Sequence, residues 1–181
     1  MGKLMNGKEY EESLRKLNLN VFMFGKKVEN PVDDPIIRPS MKAVAATYEL
    51  VHKPEYEDLM TATSHITGKK INRFCHIHQS VEDLIKKSKM GRLLGTKTGC
   101  CFQRCVGMDA LNALSIATYS IDQKYGTGYN KRFLKYLEYV QENDLTCDGA
   151  MTDAKGDRSL PPHQQPDPDV FVHVVDRKSV V

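Results

Sequence analysis

Two thiols four residues apart, Cys101 and Cys105, are the sharpest chemical signal in the chain. On an α-helix, residues at that spacing share a face with their β-carbons about 6 Å apart. Both thiolates can then reach one soft metal centre, the kind of centre that sulfur ligands select. Arg104, between them, would favour the ionised thiols. An iron–sulfur cluster generally takes four protein ligands, and this pair supplies two. The alternative is that both cysteines pack as small buried hydrophobes, a common fate for free thiols. Spacing leaves both readings open.

Three other groups could carry chemistry. Cys75-His76-Ile77-His78 concentrates metal-ligand types, but an extended stretch sends Cys75 and Ile77 one way and the two histidines the other. That is not zinc-finger spacing, and packing is the simpler reading. Residues 149–158, GAMTDAKGDR, form a polar stretch with glycines at 149 and 156. Its amides and hydroxyls could meet a flavin ring or phosphates, with Lys155 and Arg158 balancing charge; a solvated linker is the plainer reading. Arg92 and Lys97 flank the cysteine pair and could meet an anion, or stand as ordinary surface charges. No Ser/His/Asp arrangement, dinucleotide glycine fingerprint or phosphate-binding P-loop is present.

The elements that must position these groups are mostly helical, and the expected fold class is mainly α. Residues 8–18 place Tyr10, Leu14 and Leu17 at helical spacing, with acids early and bases late, as a helix dipole favours. The stretch 25–39, with Gly25, Asn30, Pro31, Pro35 and Pro39, is expected to be loop. A helix starting near Pro39–Ser40 carries Val44, Tyr48 and Val51 on one face and stops before Pro54. Residues around 67–74 are a connecting loop or a brief hairpin. Ser80, with Asp83 three residues on, caps a helix running to about Met90, after which Gly91, Gly95 and Gly99 are expected to loosen the chain.

From Cys100 to about Lys124 lies the strongest helical pattern, with Cys101, Cys105, Met108, Asn112, Ser115 and Tyr119 along one side. Gly126 and Gly128 end it. Residues 130–143 form a further helix with Phe133, Leu134, Leu137 and Val140 on its apolar face. Beyond Asp144 the composition turns to Gly, Pro, Asp and Ser over 147–169, followed by one strand-like run, VFVHVV, at 170–175. A lone strand leaves backbone donors and acceptors unpaired. It needs a sheet from elsewhere, so the chain reads as ending within a larger architecture.

Bulk properties narrow the class. At 181 residues the chain is about one domain long, and its 40% hydrophobic and 27% charged content is ordinary globular usage. A net charge of +3 spread along the chain gives no footprint for nucleic acid, though it suits an anionic ligand such as a CoA ester or a flavin pyrophosphate. No apolar run approaches the 18 or so residues needed to span a bilayer, and the N-terminus lacks the apolar core of a signal peptide. The five cysteines are odd in number and clustered, which argues against a disulfide framework and for a soluble, cytoplasmic protein.

Several long strings resemble the 4-hydroxybutyryl-CoA dehydratases: KTGCCFQRCVGMDALNA (97–113), YVQENDLTCDGAMTDAKGDR (139–158), MFGKKVENPVDDPIIRPS (23–40), TYELVHKPEYEDLM (47–60) and SIDQKYGT (120–127). The wider family includes the flavin-dependent 4-hydroxyphenylacetate 3-hydroxylases, and the paired cysteines resemble the dehydratase branch. The resemblance implies an acyl-CoA dehydrogenase-like fold. Residues 1–146 would be its N-terminal helical domain, and 147–181 a flavin-contacting loop and the first strand of a middle β-domain. It implies that Cys101 and Cys105 are two ligands of a 4Fe–4S cluster. Met151, Thr152, Asp153, Ala154, Lys155, Gly156, Asp157 and Arg158 match the segment lining FAD, with Ala154 standing where a proline is expected. Cys75 and Cys100 have no counterpart and are assigned to packing.

The implied reaction is dehydration of 4-hydroxybutyryl-CoA to crotonyl-CoA, with isomerisation of vinylacetyl-CoA as a second activity. Iron would assist departure of the hydroxyl, and FAD would handle the unactivated β-hydrogen. The remaining cluster ligands are expected beyond residue 181. The chain alone is therefore expected to be inactive, and to need a complementary C-terminal chain or assembly into a homo-oligomer. Two other readings remain beside this one: a 4-hydroxyphenylacetate 3-hydroxylase-type monooxygenase component, and a non-catalytic helical module that pairs through exposed apolar surface.

Overall fold

Asn6 opens the first helix with a capping box: its side chain accepts from the Glu9 amide while the Glu9 carboxylate accepts from the Asn6 amide. The computed structural model describes residues 4–17, 19–99, 104–148, 157 and 159–166. The chain divides into two units, Met1–Gly149 and Ala150–Val181. Within the first, helix α1 (Gly7–Arg15) leads through a short hairpin, β1 (Val21–Met23) and β2 (Lys26–Val28), to α2 (Arg38–Leu50). A single turn α3 (Glu57–Met60) precedes a second hairpin, β3 (Thr61–Thr63) and β4 (Lys70–Asn72). Then come α4 (Val81–Thr98), α5 (Arg104–Tyr125) and α6 (Tyr129–Asn143). The mainly α expectation holds for the described residues.

Three apolar clusters join these elements. Tyr10 of α1 stacks on Tyr48 of α2 with ring centroids 4.7 Å apart, among Met41, Val44 and Ala45. Leu50 and Val51 at the end of α2 meet Met60, Phe74, Met90 and Leu94 of α4, and Met108 of α5. Cys75, Ile77, Leu111, Phe133, Leu137 and Val140 close α5 against α6. Asp122 fixes the turn between those two helices by accepting from the Tyr129 and Asn130 amides and the Thr127 hydroxyl.

Two expectations need correction. The loop expected from residue 25 begins inside a hairpin, because Phe24 and Gly25 both take positive φ and turn β1 onto β2; strands of three residues are too short to register as an alternating pattern. Helix α4 does not loosen after Met90 but runs to Thr98 through Gly91 and Gly95. Met90 and Leu94 are buried along it, and that anchoring outweighs the roughly 1 kcal/mol that an interior glycine costs. Gly99, at φ +66, ends the helix, its amide returning to the Gly95 carbonyl. The capping role read for Ser80 is present: its hydroxyl accepts from the Asp83 amide. Residues 170–175, read as a strand, lie outside the described residues.

Candidate functional site

Helix α5, described from Arg104, carries Cys105 as its second described residue. Cys105 is half-buried against the cluster formed by Leu50, Val51, Phe74, Leu94 and Met108. Its expected partner, Cys101, lies outside the described residues. The guanidinium of Arg104, next to Cys105 in the sequence, is buried in the core. It is 1% exposed and lies between the rings of Tyr48 (4.1 Å to the centroid) and Phe74 (4.5 Å), donating to Thr47 Oγ1 at 2.9 Å. A cation between two aromatic faces in a water-free interior is held more strongly than at a surface.

Around that cation sits a polar seam at the end of α6. Asp144 takes the left-handed conformation, φ 48°, that ends the helix. Its buried carboxylate accepts from the Met5 amide at 2.9 Å. Burial pushes its pKa up, with Arg104 opposing the shift. The Tyr48 hydroxyl donates to the Asp144 carbonyl and shares a 2.7 Å hydrogen bond with Thr146 Oγ1; burial raises its pKa as well. The Cys75 thiol donates to the Leu145 carbonyl, and burial pushes it up to about 12. At neutral pH it is a protonated, inert side chain, in keeping with a packing role.

The chain then passes across α5. The Cys147 carbonyl lies so close to Gly107 that a β-carbon there would stand 1.9 Å from its oxygen. Gly107 is two residues on from Cys105, about 200° around the helix, so this crossing uses the opposite side of α5 from the thiol.

The histidine segment is tied down from both sides. The Asn112 side chain, on α5, accepts from the His78 amide and donates to the His76 carbonyl. His76 Nε2 lies 3.2 Å from Asp83 Oδ1, which also pairs with buried Arg73. Burial alone would raise the Asp83 pKa, but the Gln79 amide, the His76 ring and the Ser80 hydroxyl hold it well below the usual carboxylate range. Burial, then Lys87 and His76, push the His78 pKa down. Cys75, which ends a 3-10 turn over Arg73–Cys75, and Ile77 pack into the α5–α6 core, while the rings of His76 and His78 meet edge-on at 6.3 Å. Among the described residues no three His, Cys, Asp or Glu side chains converge to hold a metal ion.

In the second unit, Met151, Thr152, Asp153, Ala154, Lys155, Gly156 and Arg158 lie outside the described residues. Asp157 is described. Its carboxylate accepts from the Ser159 amide and hydroxyl, its amide donates to Gln165 Oε1, and its carbonyl accepts from Gln165 Nε2. The Ser159 contacts, hydroxyl first, lower its pKa. Arg92 and Lys97 are exposed, Lys97 resting over the Tyr56 ring.

Sequence reasoning missed Gly107, Asp144 and the clamp made by Asn112. Gly107 has a weak signal, a glycine inside a strong helical pattern, which usually has a packing reason. Asp144 has none, because the hydrogen bonds that define its role join residues 139 positions apart.

Comparison with known proteins places this arrangement. Residues 6–180 match the family described as 4-hydroxyphenylacetate 3-hydroxylase N terminal. The chain is 62% identical over 97% of its length to the 4-hydroxybutyryl-CoA dehydratase/vinylacetyl-CoA-Δ-isomerase of Clostridium aminobutyricum, covering 36% of that protein. It is 31% identical over 93% of its length to the 4-hydroxyphenylacetate 3-monooxygenase oxygenase component of Thermus thermophilus, covering 34% of it. The structure of an oxygen-tolerant archaeal 4-hydroxybutyryl-CoA dehydratase from N. maritimus superposes with a TM-score of 0.82 at 54% identity, over 93% of this chain and 33% of that one. An oxygenase component complexed with FAD and 4-hydroxyphenylacetate superposes at 0.62 with 29% identity, over 91% of this chain and 33% of that one.

The chain thus spans about a third of the length of the relatives it matches. Among the described residues, no helix is long and apolar enough to cross a membrane. With its fold and nearly its whole length matched, the chain belongs to the 4-hydroxyphenylacetate 3-hydroxylase N-terminal family, and its identity to the clostridial dehydratase is twice its identity to the Thermus oxygenase.

Proposed function

We propose that this chain forms the N-terminal part of a cytoplasmic, FAD- and 4Fe–4S-dependent lyase that converts 4-hydroxybutyryl-CoA to crotonyl-CoA and isomerises vinylacetyl-CoA. The observation that carries this reading is the 62% identity over 97% of the chain, which spans both the cysteine helix and the segment 149–158. In an acyl-CoA dehydrogenase-like arrangement, residues 1–146 would be the helical domain and 147–181 the flavin loop and the start of a β-domain.

The residues present fit the cluster in part. Cys105 offers a soft thiol at the first turn of a helix, half-buried beside an apolar cluster, and Cys101 would be its partner four residues earlier. Among the described residues no three His, Cys, Asp or Glu side chains converge, and the other ligands would come from sequence outside this chain, supplied by a complementary C-terminal chain or within a homo-oligomer. When bound, the iron would supply Lewis acidity toward the departing hydroxyl and FAD an electron acceptor.

This chain's own residues bind and orient. Met151–Gly156 and Arg158 offer the flavin backbone amides, hydroxyls and the positive charge of Lys155 and Arg158. Asp157, whose amide, carbonyl and carboxylate are already engaged, would shape that segment from within. The apolar surroundings of Cys105 would exclude water from its side of the cluster.

Replacing Cys101 or Cys105 by alanine tests the reading. Each variant of the complemented enzyme is expected to lose its iron–sulfur absorbance while keeping the helical circular dichroism of the parent. A full cluster in either variant would contradict the ligand assignment. Tightly bound FAD with no iron in the parent would favour the monooxygenase reading.

A further inference from the structure

Buried polar atoms in native proteins nearly always find a partner, so each exception needs a physical reason. Three side chains, each 1% exposed, carry such exceptions: Asn72 at the end of β4, Arg104 of α5 and Asp144 just beyond α6. Arg104 donates from Nη1 to Thr47, but its Nε and Nη2 have no hydrogen-bond partner among the described residues. Asp144 accepts from the Met5 amide at Oδ2, while its Oδ1 is likewise unpartnered. Asn72 Oδ1 accepts from the Phe74 amide at 3.2 Å, which settles which way the side-chain amide points and leaves Nδ2 unmet.

These atoms share one neighbourhood. The Arg104 guanidinium lies 4.1 Å from the centroid of the Tyr48 ring, and the Tyr48 hydroxyl donates to the Asp144 carbonyl at 2.9 Å. The Phe74 ring, two residues beyond Asn72, closes on the guanidinium at 4.5 Å. Burial raises the Asp144 pKa, and Arg104, then the Met5 amide and the Asn72 side chain, oppose the rise. Both donor side chains therefore act on this carboxylate, yet neither closes a hydrogen bond on Oδ1. Thr47 and Tyr48 are 0% exposed and Cys75 2%, so bulk solvent does not reach the place.

Whatever fits there must accept from Arg104 and Asn72 and donate to Asp144. A metal cation would face the guanidinium, and among the described residues no three His, Cys, Asp or Glu side chains converge to hold one. A small anion would satisfy the donors but stand against the Asp144 carboxylate and offer it no proton. Water does both, and about three hydrogen bonds is the usual number for a buried water.

We propose that Asn72, Arg104 and Asp144 form an enclosed site for a single water molecule, which accepts from Asn72 Nδ2 and from Arg104 Nη2 or Nε and donates to Asp144 Oδ1. The water ties β4, α5 and the end of α6 into one buried network, and it bridges a cation and a carboxylate that make no hydrogen bond to each other. The site involves no cofactor and is independent of the reaction proposed above.

A crystal structure of the chain, alone or with its companion polypeptide, at a resolution that shows ordered water tests this. One water peak is expected about 3 Å from all three side chains. No peak there, or an Arg104 nitrogen in direct contact with Asp144 Oδ1, would overturn the proposal. So would an anomalous peak at that point after chloride is replaced by bromide, which would mean an anion. In solution, oxygen-17 relaxation dispersion counts long-lived buried waters. Asn72→Leu, which puts an apolar side chain of similar size in place of the donor, is expected to lose one of them, and an unchanged count in the folded variant would overturn the proposal. Where Asn72→Leu does not fold, the density of the parent decides alone.

Discussion

Groups withdrawn wholly or partly from water divide, at the residue scale, into those kept neutral and those kept charged. Cys75 belongs to the first kind. With its thiol pushed up to about 12 by burial, it should resist alkylation in the native protein at pH 8 and react only on unfolding. Mass spectrometry of iodoacetamide-treated native chain checks this, and rapid modification of Cys75 would contradict the packing assigned to it. Asp83 belongs to the second kind. Its folded pKa lies below the unfolded value of about 3.9. Its stabilising contribution is therefore complete above that unfolded value and is lost as pH falls toward the folded one. Asp83→Asn should flatten the fall in stability below about pH 4. It should cost roughly 1–3 kcal/mol at neutral pH by taking a charged partner from buried Arg73. Denaturant melts at several pH values would show both, and an acid limb as steep as the parent's would contradict them.

Legibility at the element scale followed the length of the pattern. Helices α2, α5 and α6 repeat their apolar residues over three or more turns and were readable, as was the Ser80 cap, a local device with both partners in one turn. The β1–β2 hairpin was not, since three-residue strands show no period and its turn uses Phe24 at φ 51° where asparagine would announce it. Helix α4 was cut short because glycine is a local breaker, whereas the burial of Met90 and Leu94 that holds the helix through Gly91 and Gly95 is tertiary. With open space at both glycines, Gly91→Ala and Gly95→Ala should each stabilise the chain by about 0.5–1 kcal/mol. Thermal unfolding would show it as a small rise in Tm; a fall would mean that α4 is not continuous there.

At the scale of the whole molecule, the candidate site was legible as residue types and only partly as geometry. The cysteine pair was visible as a spacing, and the structure sets Cys105 at the head of α5 against an apolar cluster. Invisible in the sequence was how α5 is held: Arg104 locked between Tyr48 and Phe74, Asn112 clamping the histidine segment, Gly107 admitting the Cys147 backbone. Each joins residues far apart in the chain, and no local pattern records such a pairing.

The central claim is that this chain contributes the cysteine helix and flavin segment of a dehydratase. Anaerobic purification of the chain with any companion polypeptide, followed by a visible spectrum and iron and flavin analysis, tests it most directly. The account predicts a companion chain, bound FAD and about four irons per active site, with conversion of 4-hydroxybutyryl-CoA to crotonyl-CoA. A complemented enzyme that is inactive on 4-hydroxybutyryl-CoA, or that holds flavin but no iron, would contradict it.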